Sequence, residues 1–141
     1  MTGGEMKRSK GALALAAVLV VNVALVISLT PLGFESRPPT DLMMAGYIAI
    51  GTIFVGLLLD VASIVLLFWR VRLASMLAIV GSVLFFVPNV IDQTGSFFSL
   101  PRPPVINTLE YVFTGVLLVT LFLAWTVYRS SDPTERRVSE P

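Results

Sequence analysis

The stretch from Leu42 to Trp69, LMMAGYIAIGTIFVGLLLDVASIVLLFW, contains a single charged residue, Asp60. A helix needs roughly 17 to 25 predominantly apolar residues to cross about 30 Å of hydrocarbon. The stretch is long enough to do so, but hydrocarbon offers its one acid no solvation. It therefore predicts a transmembrane helix that carries a buried carboxyl group.

Three further segments have the same apolar character, over residues 11–32, 73–91 and 106–129. The chain has 141 residues, of which 55% are hydrophobic and 13% charged, and its mean hydropathy is +0.86. A soluble domain usually carries about 25% charged residues. We therefore predict an all-α integral membrane protein with four transmembrane helices in an antiparallel bundle over residues 11–129. Residues 1–10 form a polar tail, and residues 130–141 a disordered one.

The basic residues are distributed unequally between the two ends of this bundle. Because basic loops stay in the cytoplasm, this asymmetry predicts that both termini are cytoplasmic, in a multi-pass protein of the cell (inner, cytoplasmic) membrane. Only Arg37 and Arg102 fall on the outer side. The inner side holds Lys7, Arg8, Lys10, Arg70, Arg72, Arg129, Arg136 and Arg137.

Small residues recur on one face of the second helix and on one face of the third, at 100° per residue. Such faces let the backbones of neighbouring membrane helices approach closely. Because the connection between the two helices is short, we expect the two faces to pack together. The predicted packing face comprises Ala45, Ala49, Thr52 and Gly56 on the second helix, and Ala78 and Gly81 on the third.

Asp60 continues the small-residue face and is the principal candidate for a functional residue. Asn22, Ser63 and Ser82 have suitable depths to be its hydrogen-bond partners. No basic residue lies near that depth, so the charge has to be neutralised in another way. Three roles stay open: a protonated acid that fixes helix packing, a proton- or ion-binding site, and a contact with a partner subunit.

A second polar group is predicted near the outer end of the bundle. Asn89, Asp92 and Glu110 are expected to lie there and could line an outward-facing cavity. The spacing of Asn107 and Glu110 also matches a capping box at the start of the fourth helix. No spacing typical of a calcium site is present, so we predict no metal.

The connection between the third and fourth helices contains Phe97, Phe98 and Leu100. Large apolar groups are rarely exposed in a loop without a reason. We expect Phe97 and Phe98 to contact lipid or a partner protein.

The chain contains no cysteine and no histidine. Thiolate nucleophiles, histidine bases and histidine metal sites are thereby excluded, and no phosphate-binding or nucleophile-elbow motif is present. We predict a protein that is not an enzyme, needs no cofactor and binds no nucleic acid. Its expected partners are the lipid bilayer and other membrane-protein subunits or further copies of itself.

Gly56-Leu57-Leu58-Leu59-Asp60, followed by Trp69-Arg70-Val71-Arg72, loosely resembles the second and third spans of the DoxX-like four-span membrane proteins. The resemblance covers about a third of the chain and implies the four-span arrangement alone. Without catalytic motifs, we expect a non-catalytic accessory or assembly subunit of a larger membrane complex. The alternatives are an oligomeric proton-coupled carrier or channel that uses Asp60, and a lipid- or quinone-binding protein.

Overall fold

A computed structural model describes the backbone of residues 3–131 and the side chains of residues 10–131. The helices are α1 (Gly3–Ser36), α2 (Met44–Leu66), α3 (Val71–Gln93) and α4 (Pro104–Ser130), with a short 3-10 turn at Pro39–Asp41. Over residues 3–131 there is no β-strand. All four helices are long and apolar enough to span a membrane, and the prediction of an all-α chain with four such helices is confirmed.

The helix boundaries differ from the predicted ones at every end, most of all at the start of α1. Helix α1 begins at Gly3, so residues 3–10, predicted as a tail, are helical. Their sequence includes glutamate, methionine, lysine and arginine, which favour helices. Helix α4 begins earlier than predicted because Pro104 suits a first helical turn. The predicted tail beyond Ser131 lies outside the described residues.

Consecutive helices run in opposite directions. The end of α1 contacts the end of α3 through Arg37 and Asp92, and Leu42 before α2 pairs with Phe98 before α4. We call this the loop end, because both longer connections lie there. At the opposite, terminal end, Arg72 at the start of α3 hydrogen-bonds Tyr128 near the end of α4.

The closest helix contact joins α2 to α3. A methyl group added at Gly81 would lie 3.3 Å from the carbonyl oxygen of Gly56 and 2.6 Å from Asp60 Oδ1. Gly56 and Gly81 of the predicted packing face lie at this contact. Of the members of this face, Ala49, Gly56, Ala78 and Gly81 are buried, and Ala45 and Thr52 are half-buried.

The core is divided by depth. An apolar cluster at the terminal end contains Leu19 and Ala124, and a second cluster nearer the loop end contains Val26 and Leu117. Between these two clusters, on the same helices, lie the polar residues Asn22 and Thr120, with Asp60 beside them. We call Asn22, Asp60 and Thr120 the buried polar layer.

The outward faces of the helices are apolar. Large side chains such as Phe54, Leu58, Phe122 and Trp125 are more than half exposed. A bilayer solvates such a surface, whereas water does not. The bundle thus has the exterior that a membrane-spanning protein requires.

The close approach of α2 and α3 predicts a position-specific effect of alanine on stability. Gly56→Ala would place a methyl group 3.1 Å from the Phe85 ring and 3.3 Å from the Gly81 carbonyl oxygen. We expect it to lower the free energy of unfolding in detergent by about 1 to 3 kcal/mol, because the packed helices have to separate.

Gly51→Ala is the matched control on the same helix, since a methyl group there meets nothing within 4 Å. It should be neutral or stabilising by up to about 1 kcal/mol, because alanine favours helix. Equal stability changes for the two variants would contradict the close approach.

Candidate functional site

A partly open pocket lies at the loop end, between the four helices. Its volume is about 90 Å³. We call it the loop-end pocket. Its apolar wall includes Val26, Leu29, Ile53, Phe85, Ile106 and Phe113, and its polar lining includes Arg37, Asn89, Asp92 and Glu110.

The floor of the pocket is formed by two aromatic rings. Phe85 on α3 and Phe113 on α4 pack edge to face, with ring centroids 5.7 Å apart. Phe85 also rests against Gly56, which has no side chain to displace the ring. The helix contact described above therefore fixes the depth of the pocket.

Arg37 and Asp92 form a buried, two-pronged ion pair beside the pocket. The Arg37 Nη1 and Nη2 atoms donate to the two carboxylate oxygens at 2.6 and 2.8 Å. The Arg37 Cζ atom lies 4.4 Å from the centre of the Phe98 ring. A paired geometry of this kind orients both groups and offsets the cost of removing their charges from water. The pair joins the ends of α1 and α3.

Arg102 and Glu110 form a second ion pair, 2.5 Å long, at the start of α4. Glu110 also interacts electrostatically with Asp92. The predicted capping box is wrong, because α4 begins at Pro104 and Asn107 lies inside it; no side chain caps this end. Glu110 instead pairs with Arg102, which lies in the loop before α4.

The predicted outer cluster does come together. Asn89, Asp92 and Glu110 all line the loop-end pocket. Asn89 donates to the Thr114 hydroxyl at 2.6 Å and accepts a hydrogen bond from Gln93. Both acids of the cluster are paired with an arginine, Asp92 with Arg37 and Glu110 with Arg102; of the two arginines, Arg37 lines the pocket and Arg102 does not.

Phe97 and Phe98, which we expect to contact lipid or a partner protein, are buried against the bundle. They are 7% and 4% exposed, and their rings stack with centroids 4.9 Å apart. The backbone N–H of Met43 donates to the Phe97 carbonyl, which fixes the loop across the bundle. Both rings line the pocket, so any lipid contact they make is from inside it.

The buried polar layer lies deeper in the bundle. Asn22 Nδ2 is 3.4 Å from Asp60 Oδ2 and 3.3 Å from Thr120 Oγ1. Thr120 in turn donates its hydroxyl proton to the Val116 carbonyl. Asn22 lies beside Asp60, as its depth along the helix predicted. The position of Thr120 beside Asn22 was not predicted from the sequence.

The two predicted serine partners behave differently. Ser63 donates to the Ala74 carbonyl at 2.8 Å and so holds α2 to α3 rather than binding Asp60. Ser82 is fully buried. Among the described side chains, four atoms are buried without a hydrogen-bond partner: Ser82 Oγ, Asp60 Oδ1, Asn22 Oδ1 and, in the ion pair at the loop end, Arg37 Nε.

The chain matches no protein-family model, no curated protein and no solved structure. The loose resemblance to the DoxX-like proteins therefore gains no support from these comparisons. The function therefore has to be inferred from the two polar sites, the loop-end pocket and the buried polar layer.

The buried ion pair predicts a strongly non-additive effect on stability. Arg37→Met would leave the Asp92 carboxylate without its principal partner, and we expect the free energy of unfolding to fall by about 3 to 5 kcal/mol. The double variant Arg37→Met/Asp92→Leu removes both charges and should regain most of that loss. A double-mutant cycle in detergent measures the coupling.

The corresponding cycle on Arg102 and Glu110 is the control. This pair is more exposed, at 20% and 11% of its side-chain surfaces, so its coupling should be smaller. If the double variant at Arg37 and Asp92 were no more stable than Arg37→Met, the ion pair would not be the contact that joins α1 to α3.

Proposed function

We propose that this protein binds an amphiphilic molecule in the loop-end pocket, as a multi-pass protein of the cell (cytoplasmic) membrane with both termini in the cytoplasm. Four membrane-length helices support the location, and the excess of basic residues at the terminal end supports the orientation. In this orientation the pocket lies in the outer half of the bilayer. Its ligand would be a lipid- or quinone-like molecule drawn from the outer leaflet.

One observation carries this proposal: the same pocket has an aromatic and aliphatic wall and a charged rim. Phe85 and Phe113 lie on the wall, and Arg37, Asp92 and Glu110 provide the charged groups. Ligand sites are typically apolar clefts with a few polar groups that fix orientation. A ligand with a polar head and an apolar body matches both parts.

The pocket volume restricts which part of the ligand is enclosed. About 90 Å³ is smaller than an engineered cavity of roughly 150 Å³ that accepts benzene. The pocket therefore encloses a small portion of the ligand, and the remainder lies in the open part between the helices and lipid. Such partial enclosure suits exchange with the bilayer.

The other functions rest on less structural support. An accessory or assembly subunit is favoured by the apolar exterior and short connections, but lipid covers such an exterior equally well. A carrier or channel based on Asp60 needs a path to that residue, and Asp60 is not among the residues that line the loop-end pocket. Amphiphile binding is the function for which a matching cavity exists.

Filling the pocket should remove the bound amphiphile. Gly33 lines the pocket, and a Cβ atom there would meet nothing within 4 Å, so Gly33→Leu introduces volume without a backbone clash. We expect the wild-type protein, extracted in lipid nanodiscs and analysed by native mass spectrometry, to retain a stoichiometric amphiphile. Gly33→Leu should lose most of it.

The matched control is Gly115→Leu on α4, where a Cβ atom also meets nothing within 4 Å and no pocket residue is altered. It should retain the ligand at the wild-type level. Wild-type protein without a bound amphiphile, or equal retention in both variants, would contradict the proposal. A stoichiometric larger protein in the same spectrum would favour the accessory-subunit function instead.

A further inference from the structure

We propose that the outward face of α4, at the terminal end of the bundle, binds the phosphate group of an anionic phospholipid. This surface lies at the opposite end from the loop-end pocket and does not depend on what the pocket binds. Its centre is a stack of four side chains, which we call the arginine–aromatic stack: Arg129, Trp125, Tyr128 and Arg72.

The stack positions two guanidinium groups against aromatic rings. The Cζ atom of Arg129 lies 5.6 Å from the centre of the Trp125 ring, and the Cζ atom of Arg72 lies 5.0 Å from the centre of the Tyr128 ring. The two rings stack on each other with centroids 6.1 Å apart, and Arg72 Nη2 donates to the Tyr128 hydroxyl at 3.1 Å. Cations within about 6 Å of a ring centre are attracted to it, so both charges are positioned before a ligand binds.

The terminal end has an excess of positive charge. Over residues 10–15, 66–73 and 124–131 there is no acidic side chain, and four side chains are basic: Lys10, Arg70, Arg72 and Arg129. The sequence before residue 10 and after residue 131 adds four basic and four acidic residues, whose formal charges cancel. The whole end therefore has a formal charge of +4, which an anionic headgroup complements and a zwitterionic one does not.

Contacts between the helix ends place basic residues on both sides of α4. On one side, a methyl group added at Gly11 of α1 would lie 3.3 Å from Val127, and Lys10 precedes Gly11 in the chain. On the other side, α3 begins at Val71 and contacts α4 through Arg72. The positive charge is thus shared by three neighbouring helices rather than confined to one.

The outward face of α4 has the same order of apolar and charged groups as a phospholipid. Leu118, Phe122 and Trp125 are 57%, 67% and 52% exposed, and their spacing of three or four residues places them on one face with Arg129. Tryptophan side chains are enriched at the level of the lipid headgroups. Arg129 follows Trp125 by one helical turn and is exposed, so it lies at the depth of the phosphates while the apolar residues contact the acyl chains.

The chemistry of arginine favours a phosphate ligand. A guanidinium group donates two parallel hydrogen bonds to phosphate oxygens, and it retains this ability while it is stacked on an aromatic ring. Each Lys or Arg near the surface of an anionic membrane strengthens binding about fivefold. Phosphatidylglycerol, which has a phosphate and no ammonium group, is a suitable probe of this preference, and phosphatidylcholine is its zwitterionic counterpart.

Native mass spectrometry of the full chain, released from nanodiscs of equal parts phosphatidylglycerol and phosphatidylcholine, tests the surface. The measured quantity is the ratio of the two lipids that stay bound to the protein as the collision energy rises. We expect the wild type to retain phosphatidylglycerol over phosphatidylcholine by at least about fivefold. Gly33→Leu should give the same ratio, because filling the loop-end pocket leaves the terminal end intact.

Two substitutions in the stack should lower this ratio. Arg129→Gln removes one exposed guanidinium group and should lower the ratio about fivefold. Trp125→Leu keeps every charge and an apolar side chain but removes the ring against which Arg129 lies, and it should also lower the ratio. The matched control is Ser99→Asp at the loop end, an exposed position that changes the net charge by the same amount as Arg129→Gln, and it should leave the ratio unchanged.

Equal retention of the two lipids by the wild type would overturn the proposal, as would equal ratios for Arg129→Gln and Ser99→Asp. A preference for phosphatidylglycerol that disappears in Gly33→Leu would assign the anionic lipid to the loop-end pocket and overturn it as well. A protein subunit that binds the wild type and is lost in Arg129→Gln would have the same consequence, because a protein rather than lipid would then cover the stack.

Discussion

The close approach of α2 and α3 at Gly56 and Gly81 is the constraint on which both polar sites depend. It lets the Asp60 carboxylate reach the backbone of α3, and it lets the Phe85 ring lie against α2 as the floor of the loop-end pocket. Small residues are effective here because association in lipid relies on packing rather than on the hydrophobic effect. A larger side chain at either glycine would disturb both sites together.

Polar groups in this bundle are held by partners on other helices. Arg37 and Asp92 link α1 to α3, Asn22 links α1 to α2 and α4, and Ser63 links α2 to α3. In hydrocarbon such contacts also specify which helices are neighbours, because the alternative arrangements leave charges unpaired. Phe85 then separates the charged residues of the loop-end pocket from the buried polar layer deeper in the bundle.

The sequence predicted the contacts that follow from periodicity and failed where contacts depend on chain topology. Small residues at helical spacing correctly indicated the α2 and α3 faces, and depth alone placed Asn22 beside Asp60. The Arg37 and Asp92 pair joins residues 55 positions apart, and no local pattern marks it. The spacing of Asn107 and Glu110 predicted a capping box. The helix begins earlier, at Pro104, so Glu110 lies inside it and forms an ion pair with Arg102.

The most direct test of amphiphile binding is a high-resolution structure of the full chain in nanodiscs formed from its own membrane. Amphiphile binding predicts elongated density that enters the loop-end pocket, with its polar end beside Arg37 and Asp92 and its apolar part against Phe85 and Phe113. A pocket closed by the protein's own side chains, or filled by a segment of another subunit, would contradict it.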